Sequence, residues 1–443
     1  MAHAPEVVPW RSDVGGDGTD TAAYIVPFDR DGTCTGPRTA DAVVAGSARA
    51  TDVFLFSHGW NNDWAAATGR YDAFIHHYLD LRRQWWSRPD RDYRPLLAGV
   101  FWPSTVLVAP GERAPAIAGG VPAPDPPDGS DPVAPLTEHL APDRAERLRR
   151  LAAQDRLDRT QAAELAALVA PALAGGDELR PDSGPPTADQ LVELWSRLPD
   201  DRGRGRARGR PGGFVDEAAS APAETAGGLG LFDPRTLVRT ATVLLMKDRA
   251  GRVGGRGVAL LLRALLDAAP GVRVHLVGHS YGCRVVLSAL CNGPAPARPV
   301  ESVLLLQPAV SALCFGADVD GAGTPGGYRP ALTRTAQPVM TTFSRHDVPL
   351  TTVFHWAVRR PADLGEVVIA GAPPSRYAAL GGYGPQGVDG QTVTVAVKDP
   401  PDRYALGPDG PRIMAVDGDR SIAGHGDVTN PATGWALLCQ VMG

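Results

Sequence analysis

Ser280 stands between two glycines, in Gly278-His279-Ser280-Tyr281-Gly282. A serine hydroxyl is a poor nucleophile at neutral pH. It attacks a carbonyl only when a histidine takes its proton and a carboxylate orients and stabilises the resulting imidazolium. The chemistry in question is therefore acyl transfer, and it needs three residue types, distant in sequence, to meet. Beyond the serine lie the carboxylates Asp318, Asp320 and Asp347, and His425 is the only histidine past His355.

The elements that must position these groups are legible as short apolar runs. "VRVHLVGH" reads as a strand that delivers the chain to Ser280. After it, Cys283, Val286, Leu287, Leu290 and Cys291 fall at the spacing of a buried helix stripe. The serine therefore lies in a tight strand-to-helix turn, where glycine on either side leaves room that side chains would fill. In that turn the backbone N–H of Tyr281, at the helix start, points to where an oxyanion would form. "TDVFLFSHG", "RPLLAGVFW", "ESVLLLQPAV", "PVMTTFSRHD" and "RIMAVDGD" have the same strand-like look. Near-continuous apolar runs without strict alternation suit strands buried on both faces of a parallel sheet. Helical patterns fall between them, in "WAAATGRYDAFIHHYLDLRRQWW" and from "RTLVRTATVLLMKD" through "GVALLLRALLDAA". Strand–helix alternation predicts a doubly wound, mostly parallel α/β sheet.

The Gly-x-Ser-x-Gly turn between strand and helix resembles the nucleophile elbow of the α/β-hydrolases. In that family serine, acid and histidine follow in this chain order, each at a strand end. The resemblance implies Asp347 as the acid, in the Asp347-Val348-Pro349 setting after a late strand, with Asp318 and Asp320 one strand earlier as rivals. It implies His425 as the base, in a Gly-rich loop between the last strand and the last helix. It also implies that His58-Gly59-Trp60, directly after "VFLFS", is the first oxyanion-hole segment. The backbone N–H of Trp60 would then be the second donor beside that of Tyr281. By the same analogy His58 and His279 are structural and Asp427 sets the histidine loop. Asn61 and Asn62 either orient the oxyanion loop or touch substrate.

The resemblance covers about residues 50–103 and 234–443 of the 443-residue chain. The division is 1–103 and 234–443 as two parts of one core, with 104–233 inserted between them. The insertion opens with a Pro-rich run around "PAPDPPDGSDP", which behaves as an extended loop. Helical segments follow, and Asp158 with Gln161 predicts a capping box. After "TADQLVELWSRL" come Arg202, Arg204, Arg206, Arg208 and Arg210 alternating with glycine or alanine. This run reads as a solvated linker rather than a nucleic-acid arm, since it lacks interleaved aromatics. The insertion leaves from a strand C-terminus, so it is expected to cover the site partly, or else to serve as a surface for a protein partner. Trp60, Trp102 and Trp195 are candidate apolar walls or ordinary core residues.

With 43 % hydrophobic residues and a net charge of -5, the chain is a core-building protein without the basic balance of a nucleic-acid binder. Five widely spaced cysteines, the absence of an N-terminal signal pattern and the absence of a span-length apolar run fit a cytoplasmic protein. No cofactor or metal is expected: His-Glu-x-x-His, an EF-hand loop and a P-loop lysine are all missing. The leading expectation is hydrolysis of a carboxylic ester on a small or lipid-like acyl substrate. An amide, peptide or thioester hydrolase with the same three residues, and a non-catalytic binding scaffold, are the alternatives.

Overall fold

The structure is a computed structural model. It describes residues 8–12, 21–60, 62–87, 89–105, 133–138, 140–173, 187–196, 231–347, 350–351, 378–388, 390–407 and 410–443. Asn61, Val348, Pro349, the Pro-rich stretch 106–132 and the arginine run lie outside the described residues.

Among the described residues eight strands form one sheet: β1 (Ala22–Pro27), β2 (Asp52–Ser57), β3 (Pro95–Phe101), β4 (Arg273–His279), β5 (Ser302–Leu306), β6 (Val339–Phe343), β7 (Thr392–Ala396) and β8 (Ile413–Asp417). Their spatial order is β1-β3-β2-β4-β5-β6-β8-β7. Every neighbouring pair is parallel, so the sheet is wholly rather than mostly parallel. Two strands escape the apolar-run reading. β1 contributes small residues to its run, and β7 is a half-exposed edge of alternating Thr and Val.

Alternate residues of the central strands feed two separate cores. One contains Val53, Leu55, Leu96, Val274, Leu276, Val303 and Leu305. The helices α1 (Pro37–Ser47), α7 (Pro234–Arg252), α8 (Ala259–Ala268) and α9 (Tyr281–Cys291) pack on that side. The other core contains Phe54, Val277, Leu304, Leu306, Met340 and Met414, under α2 (Trp64–Trp85) and α10 (Pro431–Met442). Burial on both faces is why these strands read as unbroken apolar runs.

Between β3 and α7 lie α3 (Ala134–Thr137), α4 (Pro142–Ala152), α5 (Arg159–Val169) and α6 (Ala188–Ser196). The capping box at Asp158 and Gln161 forms as the spacing predicts. Glu138 bonds Arg30 and Arg249, tying α3 to the β1 loop and to α7. The glycine-rich "GRVGGRG" lies within a helical run, where a π-helical turn at Val253–Val258 joins α7 to α8. A Cβ on Gly254 would stand 2.2 Å from the Val285 carbonyl oxygen, so Gly254 serves close packing on α9, while one on Gly257 would stand 2.0 Å from Gly32 O in the loop after β1. Among the described residues no helix is long and apolar enough to cross a membrane.

The register brings the strand exits to one edge. Ser57 is level with Gly278, His279 with Leu306, and Phe343 with Asp417. The chain goes from β2 outward to β3, then returns to β4 on the other side of β2. That reversal makes a crevice above β2 and β4, the general location of ligand sites in open α/β sheets.

Candidate active site

Ser280 follows the last residue of β4 and precedes the first of α9, with φ 55° and ψ -124°. A non-glycine residue held there costs roughly 1–3 kcal/mol, so the surrounding contacts must enforce it. They do. The Ser280 N–H donates to Leu306 O at 3.1 Å, and the Ala309 N–H donates to Ser280 O at 3.3 Å. A Cβ on Gly282 would stand 2.1 Å from Ser57 O, and one on Gly278 would stand 2.6 Å from Cys283 Cα. Both flanking glycines are therefore spatial requirements.

His425 Nε2 lies 2.8 Å from Ser280 Oγ, and His425 Nδ1 lies 2.8 Å from Asp347 Oδ2. A carboxylate only accepts, so Nδ1 carries the proton and Nε2 is free to take the serine's. The other carboxylate oxygen, Oδ1, accepts the Leu350 N–H at 3.1 Å. All three groups are buried, with Ser280 1 %, Asp347 0 % and His425 3 % exposed. The structure thus brings together the serine, acid and histidine expected from the sequence. Asp318 and Asp320 are elsewhere engaged: they accept backbone N–H bonds within their own turn, from Asp320 to Thr324. Asp427 accepts the Ala423 N–H and bonds Asn430, closing the histidine loop.

The loop after β2 lies against the elbow. A Cβ on Gly59 would stand 2.8 Å from Ser280 Cβ, and the Trp60 ring is 6.2 Å from that of Tyr281. Tyr281 opens α9, so its N–H has no acceptor inside the helix. The loop is fixed by polar contacts from several sides. Tyr71 accepts the His58 N–H and donates to Val100 O. Asn62 donates to Gly59 O and Trp60 O and exchanges bonds with Ser104. Trp102 stacks on His58, donates its backbone N–H to His58 Nε2 and its indole N–H to His58 O. Of the three candidate walls, Trp102 is thus a loop anchor, and Trp195 lies in the core of the inserted helices. Tyr281 donates to Val243 O of α7, and α3 and α4 pack on α7. Among the described residues the inserted helices make no hydrogen bond to Ser280, Asp347 or His425.

His58 and His279 are neutral structural donors. Burial pushes His58 down from its ordinary 6.5 to about 4, and burial pushes His279 well below its ordinary value. His279 donates Nε2–H to the His425 carbonyl at 2.9 Å, so the elbow itself holds the histidine loop. The unfolded chain protonates both rings near pH 6.5, whereas the native state refuses the proton. Stability is therefore expected to fall as pH drops from 6.5 towards 4, by up to about 3 kcal/mol for His58 alone. Thermal melts of wild type and His58→Asn across this range check it: the variant should show the shallower acid slope.

Sequence reasoning missed Gln307. It follows β5, is fully buried and has φ 44°. Its Nε2 donates to Asp347 Oδ2 at 3.1 Å and to Gly381 O at 3.4 Å. Thr342 donates its hydroxyl to Gln307 Oε1 and accepts the Gln307 N–H. Gln307 thus grips the carboxylate oxygen that orients His425. Loss of a hydrogen bond to a charged group is worth about 1.5–3 kcal/mol. Gln307→Met is accordingly expected to lower kcat by about 10- to 100-fold with KM nearly unchanged, measured on an ester substrate.

The same residue types recur at the opposite end of the sheet. His275 Nδ1 lies 2.8 Å from Ser302 Oγ and its Nε2 lies 3.1 Å from Asp52 Oδ1. All three are 0 % exposed. Ser302 is a strand residue with no helix N-terminus ahead of it, and Asp52 is spent on Arg91 and Arg273. This constellation knits β2, β4 and β5 together. Ser280 differs from Ser302 in sitting at a positive φ in the strand-to-helix turn at the start of α9.

No protein-family model, curated protein or solved structure matches this chain.

Proposed function

We propose that the chain is a serine hydrolase of α/β-hydrolase type that cleaves a carboxylic ester. The observation that carries this reading is the hydrogen-bond chain Ser280 Oγ–His425 Nε2 and His425 Nδ1–Asp347 Oδ2, 2.8 Å at each link, built on a serine at positive φ. Ser280 Oγ attacks the ester carbonyl as His425 takes its proton. The oxyanion forms at the N–H groups of Tyr281 and Trp60, each worth about 3 kcal/mol to the transition state. Collapse expels the alcohol, which receives the proton from His425. Water, activated by the same histidine, then releases the acid and restores Ser280. Asp347, held by Gln307 and by the Leu350 N–H, keeps His425 in the productive tautomer throughout. Every proton and acyl transfer in this sequence is made between these residues, the substrate and water.

A panel of short and long acyl esters, acyl thioesters and aminoacyl amides tests the reading. Esters are expected to turn over fastest relative to their hydroxide-catalysed rates. Preferential turnover of thioesters or amides would move the substrate class and keep the three residues. No turnover anywhere on the panel would contradict the proposal.

A further inference from the structure

Among the described residues between Ser57 and Asn62, three buried side-chain atoms have no partner, Ser57 Oγ, Trp60 Nε1 and Asn62 Oδ1. They do not weigh equally. A serine hydroxyl can rotate, and a carbonyl oxygen with an unused lone pair is common in native proteins. Asn62 already spends its amide N–H groups on Gly59 O and Trp60 O. The indole N–H is different: it only donates, and the ring's packing fixes where it points. Trp60 is 3 % exposed, so bulk water does not serve it. Burying an unmatched donor is costly, and a phenylalanine would build an apolar wall without that cost. The ring belongs to the loop that touches the nucleophile. Gly59, its neighbour, abuts Ser280 Cβ, and the indole centroid lies 6.2 Å from that of the Tyr281 ring, the two rings tilted by 53°.

From this placement we infer that the Trp60 indole N–H is a substrate donor, and that the substrate carries an acceptor oxygen close to its scissile ester. The inference rests on the serine-hydrolase reading and narrows it. Plain alkyl esters leave the donor unmatched. Esters with an ether, hydroxyl or carbonyl oxygen a few bonds from the reacting carbonyl satisfy it. A site built to bond such an oxygen discriminates against an isostere lacking it more strongly than an apolar pocket discriminates by size. Trp60 thereby sets specificity through its side chain, separately from its backbone N–H.

Matched esters in which one methylene is exchanged for oxygen test this on the full chain. Ethyl pentanoate is compared with ethyl 3-methoxypropanoate for the acyl side. Butyl acetate is compared with 2-methoxyethyl acetate for the alcohol side. The oxygen is then walked along each chain, with rates followed by pH-stat and divided by hydroxide-catalysed rates. At one position wild type is expected to favour the oxygen ester by about tenfold or more in kcat/KM. Trp60→Phe, which keeps an aromatic ring and deletes the donor, is expected to bring that ratio close to one. The wild-type contrast stands on its own if the variant does not fold. Turnover of the carbon esters with no gain at any oxygen position would overturn the inference and leave the hydrolase intact. An oxygen preference that persists in folded Trp60→Phe would also overturn it. Failure of every ester, with no acyl adduct on Ser280, would instead be the failure of the hydrolase reading, and the inference would fall with it.

Discussion

Ser280→Ala is expected to lower kcat on any accepted ester by about a million-fold, to the level left by binding and the oxyanion donors. The substitution removes only a hydroxyl from a residue already close-packed against Gly59, so little structural disturbance should accompany it. Alanine also relieves none of the strain at φ 55°, because that strain comes from the Cβ and backbone, which it keeps. Stability near that of wild type, together with lost turnover, is the expected pair of results from thermal melts and initial rates. A variant that keeps more than about one part in a hundred of wild-type kcat would place the nucleophile elsewhere.

Asp347→Asn is expected to cost about ten-thousand-fold in kcat, through a different route. Oδ2 accepts from both His425 Nδ1 and Gln307 Nε2, while Oδ1 accepts from the Leu350 N–H. Asparagine offers one acceptor oxygen and one donor amide. If its amide faces His425, the ring must accept at Nδ1 and carry its proton on Nε2, where it cannot receive the serine's proton. If its amide faces Leu350 instead, two N–H groups confront each other in a buried site. Either orientation leaves a conflict, so a loss of stability should accompany the loss of rate. The rate loss should shrink at alkaline pH, where hydroxide assists proton removal. A pH-rate profile of the variant distinguishes this wrong-tautomer account from simple unfolding, which would not recover with rising pH.

The segments carrying Ser280, Gly59 and Asp347 were legible in the sequence because each follows an apolar run. "LVGHS", "FLFSHG" and "MTTFSRHD" all stop at a polar residue because a strand stops there, and a parallel sheet gathers those stops on one edge. Linear order then narrowed the base to His425 and the acid to Asp347 or its rivals Asp318 and Asp320. The choice between Asp347 and the pair Asp318 and Asp320 was harder, because all three follow strands. It turned on which loop reaches back to His425, which is a matter of three dimensions.

Gln307 was invisible for a related reason. Its identity suggests nothing, and its role depends on a positive φ and on Thr342 and Gly381 from other elements. The bond from His279 to the His425 carbonyl spans 146 residues and leaves no local pattern. The parallel direction of β1 was also undetermined, since a strand's apolar run reads alike in both directions. The chain Ser302–His275–Asp52 carries a converse lesson. It joins the right residue types with good distances, but it lies at the strand starts, away from the elbow, with its carboxylate held by Arg91 and Arg273.

The central claim is that Ser280 is an activated nucleophile, and labelling by a fluorophosphonate probe with intact-mass readout tests it most directly. The probe needs no knowledge of the natural substrate. Wild type is expected to take one adduct, mapped by peptide mass to Ser280, with none on Ser280→Ala and a much slower reaction on His425→Ala. Folded wild type that takes no adduct, or takes it at Ser302 or another serine, would contradict the account.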